Sequence, residues 1–174
     1  MNLSLPLLLL VGACGTGAGA APAGGMLTAT WEGRDRGSGR LEASALYCPR
    51  DFTLQILAHQ GDRGIGVALH LAAAGPAVGS FAIVHPESES IPRPAATGAY
   101  RFLTVEALHP YVSRDGQVEV TEVGPGGVSG TVAMTLVAQS GPDTVAIRGS
   151  FDRVAVDSTR TPCGLAPPRP VEVF

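Results

Sequence analysis

The sequence predicts an all-β domain, an antiparallel β-sandwich of eight or nine strands, with a closed β-barrel as the alternative. Three observations carry this. Apolar residues recur at every second position in run after run. Gly (23) and Pro (14) together make up about a fifth of the 174 residues, the composition of many short strands joined by turns. Sustained helical periodicity is missing, and the only Ala run, in Leu69–Ala74, stops at Gly75-Pro76. Alternation looks the same in a sandwich and a barrel, so the pattern leaves both open.

Taken in order, Met26–Glu32 reads as a first strand, Gly33–Gly39 as a loop and Arg40–Cys48 as a second strand. Phe52–Gln60 and Ile65–Ala73 flank Gly61-Asp62-Arg63-Gly64, a hairpin signal. Pairing Gln60 with Ile65 sets His59 opposite Gly66 and His70 opposite Gln55. Ser80–His85 is a further strand, ended by Pro86. Residues 85–98 form a long, polar, Pro-rich connection, and Tyr100–Ala107 and Gln117–Val123 follow as strands. The clearest pair is Val128–Ala138 with Thr144–Val154, joined around Ser140–Asp143. That loop sets Leu136 opposite Ile147 and Val132 opposite Phe151. After Phe151 the apolar parity slips to Val154 and Val156, the mark of a bulge or a strand end.

Before these strands lies a different kind of sequence. Residues 5–13 are an apolar run with the length of a signal-peptide core, too short to span a bilayer. Val11-Gly12-Ala13-Cys14 resembles the lipobox of bacterial lipoprotein precursors. In that family an aliphatic residue and two small ones precede a cysteine that is acylated and becomes the mature N-terminus. The resemblance implies removal of residues 1–13, lipidation of Cys14 and a place in the cell envelope, facing the periplasm or the exterior. Met1–Ser4 departs from the pattern, with no Arg or Lys where an export signal has a positive n-region. The alternative is cleavage at Ala18-Gly19-Ala20, which would discard Cys14 and release a soluble secreted protein. Residues 14–25, rich in Gly and Ala, read as a flexible tether. The β domain is expected over residues 26–160 and a Pro-rich tail over 161–174. Residues 116–156, with G-x-V-x-V-T, S-G-T-V and G-S-F-D, are similar to strands of small uncharacterised secreted β-domain lipoproteins; that likeness implies no activity.

Export permits oxidation, and with Cys14 acylated the two remaining cysteines, Cys48 and Cys163, form the only possible disulfide.

No catalytic or metal-binding set emerges. His59 and His70 share a hairpin face but stand roughly 13 Å apart at ~3.3 Å per residue, too far for one ion. His85 and His109 each precede Pro and read as strand or loop ends. Ser129, in Gly126–Gly130, misses the nucleophile elbow by one position, and the chain has no Lys for a Ser–Lys dyad or Schiff base. On a regular strand the odd spacing of Glu119 and Glu122 points them to opposite faces. Trp31 reads as a core residue. All 12 basic residues are Arg and the net charge is −3; the one tight group, Arg34, Arg36 and Arg40, lies among glycines in a loop. Nucleic-acid binding needs a larger basic face. The sequence therefore predicts a noncatalytic binding or structural module with no cofactor. Its expected partners are the membrane, through the N-terminal lipid, and an envelope protein met by the 85–98 loop with Glu87, Glu89 and Arg93. The alternative is a lipocalin-like carrier with a small apolar ligand inside the domain.

Overall fold

A computed structural model describes residues 24–158. The expected signal peptide, Cys14, nearly all of the tether, Cys163 and the tail lie outside the described residues. The strands are β1 (Gly25–Gly33), β2 (Gly37–Cys48), β3 (Thr53–Gln60), β4 (Arg63–His70), β5 (Gly79–Ile83), β6 (Ala95–Leu103), β7 (Leu108–Gly124), β8 (Gly127–Ala138), β9 (Thr144–Val154) and β10 (Val156–Asp157). The class is all-β, as the alternation predicts.

All ten strands belong to one sheet, and its pairings run in a circuit. From β1 the order is β9, β8, β7, β6, β4, β3 and β2, and β2 pairs again with β1. Every pairing in that circuit is antiparallel. β1 serves both neighbours: Leu27 faces Leu41 on one side and Phe151 on the other. Alternate residues of each strand point inward, and the buried set is almost wholly apolar. Trp31, Tyr100, Phe102 and Tyr111 meet as an aromatic cluster, with ring centroids 5.9–6.5 Å apart.

The long strand β7 changes partner half-way. Its first residues pair with β6 up to Val112, and residues 116–120 pair with β5, with a bulge between Ser113 and Asp115. Ser113, fully buried, fills the gap at the changeover. Its Oγ accepts from the Gly98 N–H at 2.9 Å and donates to the Val84 carbonyl at 2.7 Å. Ser113→Ala strands both backbone groups and should cost about 2 kcal/mol, read as a lower denaturant midpoint at unchanged slope.

Several expectations need correction. The β3–β4 turn is Gly61-Asp62 alone, with Gly61 at φ +54°, so Gln60 pairs with Arg63. His59 then faces Gly64, and His70 faces Thr53. The two-residue shift keeps every side chain on its expected face. In the β8–β9 hairpin Leu136 faces Val145 and Gly130 faces Phe151. The Ala138 N–H closes the hairpin on the Asp143 carbonyl and the Gln139 N–H leaves for the Pro110 carbonyl, so the loop is Gln139–Pro142, one residue earlier than expected. The slip after Phe151 is real: the register shifts between Val128 and Gly130, and Arg153 adopts φ +46°. Residues 95–98 are not loop but the start of β6. β10, parallel to Ala45–Leu46 of β2, was not anticipated.

The short loops divide between two ends of the ring. Asp35, Gly61-Asp62, Thr104–Ala107 and Gln139–Pro142 lie at one; Cys48, the β7–β8 turn and both limits of the described chain lie at the other. Cys48 is buried and its thiol is engaged, not free.

Candidate functional site

At the end marked by Asp35 an ionic plug sits against the aromatic cluster. Asp35 sits in the β1–β2 loop, and its carboxylate accepts from Arg63 Nε at 2.8 Å, Arg63 NH2 at 3.1 Å and the Tyr100 hydroxyl at 2.5 Å. The guanidinium lies 5.6 Å from the centre of the Trp31 ring. Arg63 holds the Asp35 carboxyl below its ordinary range, more than burial raises it, with a further contribution from the Tyr100 hydroxyl. Burial and the bond to Asp35 push the Tyr100 phenol well above its ordinary value. The carboxylate is held ionised and the phenol protonated near neutrality, and the bonds between them tie the β1–β2 loop to β4 and β6. Sequence reasoning missed it because Asp35 stands between Arg34 and Arg36 among glycines. The available signal was the polar tip of a core tyrosine, which needs a partner.

The expected partner loop is split in role. Glu87 and Glu89 are exposed on it. Arg93 instead spans to the β2–β3 loop and the end of β4, its NH1 donating to the carbonyls of Asp51 (2.7 Å), Leu71 (3.1 Å) and Phe52 (3.5 Å). Arg93→Ala should therefore lower stability by about 1–2 kcal/mol, while Glu87→Ala stays within about 0.5 kcal/mol of wild type in the same melt.

The histidines are dispersed. His59 and His70 end up six residues apart along β3, about 20 Å. His70 lies 3.3 Å from the Thr97 hydroxyl, and its imidazolium is disfavoured first by burial and then by Arg93. His85 Nδ1 accepts from the Glu87 N–H, and His109 stacks on Phe102. Among the described residues no three His, Cys, Asp or Glu side chains are placed to hold a metal. Glu119 and Glu122 correct a further expectation. A second bulge in β7 sets them opposite Thr131 and Ser129, so both carboxylates lie on one exposed face.

A cavity of about 550 Å³ opens on the outer face of the sheet. It follows a row of outward residues in register across five strands: Ser44, Leu57, Gly66, Ala99 and Val112. Glycine and alanine in the middle of that row leave a trough between the larger Leu57 and Val112. Leu57 remains half exposed beside it. Arg101, Pro110, Gln139 and His59 surround the end toward the Asp35 loop. No sequence signal announced this trough, because outward-facing small residues read simply as the solvent side of an alternating strand.

Compared with known protein families, curated proteins and solved structures, the chain matches none.

Proposed function

We propose that this chain is a noncatalytic binding module of the bacterial cell envelope, tethered through a lipid on Cys14 and working through the outer face of its sheet. The observation that carries the binding role is the outer trough, whose volume falls within the usual range for small-molecule sites. The inward faces are taken up by aromatic and aliphatic side chains, so the surface available to a ligand is the outward one. The titratable cluster with shifted protonation is consumed by its own internal bonds, which favours a noncatalytic reading.

The anchor rests on the lipobox-like Val11–Cys14 and the Gly/Ala tether. It fits a domain whose described chain begins at the end opposite the Asp35 plug. Anchored there, the protein would hold its Asp35 end away from the membrane. In the same envelope setting Cys48 and Cys163 form a disulfide. β10 supports this pairing, since it runs parallel to β2 and carries the chain toward Cys48. Glu87 and Glu89 offer an acidic contact for an envelope protein.

Intact mass of the mature protein from membrane and soluble fractions of an expressing bacterium tests the anchor. A membrane species beginning at Cys14 with added acyl mass is expected. A soluble species beginning after about Ala20 would overturn the anchored reading.

A further inference from the structure

We infer that the outer trough is a site for a medium-chain amphiphile ending in a carboxylate, with the acyl chain passing over Gly66 and Ala99 between Leu57 and Val112 and the head group on Arg101. The inference deepens the binding role proposed above and rests on it.

Three features converge. The first is shape. A second cavity of about 230 Å³ continues the trough toward Ala68, Thr97 and Pro86, and Leu57, Gly66, Ala99 and Val112 border both. From the row of Arg101 to the row of Thr97 is four residues along β6, roughly 13 Å at ~3.3 Å each. That suits an extended medium-length chain. The second is polarity. Between Leu57 and Val112 the floor is Gly66 and Ala99, with Ser44, Gln55 and Thr97 as the polar side chains at its margins, so it withdraws methylenes from water with few polar demands on the ligand.

The third is charge. Arg34, Arg63, Arg114 and Arg153 each have a carboxylate within 4 Å. No carboxylate among the described residues stands in that relation to Arg101. Gly64, facing Arg101 across the β4–β6 ladder, gives its side chain room to lie flat: a Cβ on Gly64 would come 3.2 Å from Arg101 Nε. The guanidinium is thus a bidentate fork at one end of an apolar channel, and a carboxylate is the head group that fits it.

The test is titration of the full-length mature protein with decanoate, followed by amide chemical shifts, with decanol and decyltrimethylammonium as head-group controls. Saturable shifts at residues 57, 66, 99 and 112 are expected, with decanol weaker and the cation weakest. Arg101→Gln should weaken decanoate roughly tenfold and leave decanol unchanged, the loss of one charge-assisted contact. Gly66→Val should abolish binding of both. Gly66 has ordinary extended geometry and its new Cβ would meet only the flexible end of Leu57 at 3.2 Å, so its melting temperature should hold. Ala99→Leu fills the same channel from β6 as a second variant.

Absence of saturable binding by the wild type, or undiminished binding by folded Gly66→Val and Ala99→Leu, would overturn the inference. So would trough contacts to Phe174, or to a second copy of the chain, in the ligand-free protein. None of these outcomes alters the mass of the membrane species, so failure here is distinct from failure of the anchor.

Discussion

Asp35→Ala should cost about 3 kcal/mol and lower the melting temperature by about 10 °C, although the residue lies in a loop, because its carboxylate is the acceptor for a core tyrosine. Removing the carboxylate leaves the Tyr100 hydroxyl buried without its acceptor and Arg63 without its counter-charge over the Trp31 ring. Asp35→Asn keeps an acceptor for Tyr100 but loses the charge, and should cost about half as much. The dependence on pH has a definite sign. The folded value of Asp35 lies below the ordinary 3.8, so its stabilisation is fully present above about pH 4 and is lost as the pH falls through the folded value. Acid melts of Asp35→Asn should lack that part of the decline. Equal acid sensitivity in wild type and Asp35→Asn would show that the plug does not contribute.

Reduction should have a still larger effect. A Cys48–Cys163 bridge closes a loop of more than 100 residues and restricts the unfolded chain by about 4–5 kcal/mol in the loop-entropy account. A thiol reductant should therefore lower the denaturant midpoint of the wild type sharply and leave Cys163→Ser unmoved. Cys163→Ser is the better variant, because Cys48 is buried and a serine there adds an unsatisfied hydroxyl. A wild-type midpoint indifferent to reductant would overturn the pairing.

The parts of the fold legible in the sequence are those where alternation alone fixes the answer. Val132, Met134 and Leu136 face inward with Val145, Ile147 and Phe151, as their spacing requires, and the slip at Val154 gave away a bulge. Trp31 is a core residue as expected. Register was less legible, because moving a strand by two residues preserves every face; the true Gly61-Asp62 turn could not be told from a four-residue loop by parity. The start of β6 was hidden by Ala95, Ala96 and Gly98, which are small enough to read as loop. The first half of β7 was hidden by Pro110, which keeps its place by pointing outward while its carbonyl accepts from Gln139. Glu122 changed face because a bulge is a local backbone event that spacing does not announce. Both candidate sites needed the third dimension. Asp35 meets Tyr100 across 65 positions, and the trough assembles single small residues from several strands.

A domain whose inward faces are filled should take its ligand on the outside of the sheet. Photo-crosslinking the mature protein with a diazirine-bearing decanoic acid, then mapping adducts by peptide mass, tests it most directly. Adducts are expected on Leu57, Ala99 and Val112, lost with Gly66→Val. Adducts on Leu54, Val67 or Ile147, which face inward, would place the ligand inside the ring and contradict it.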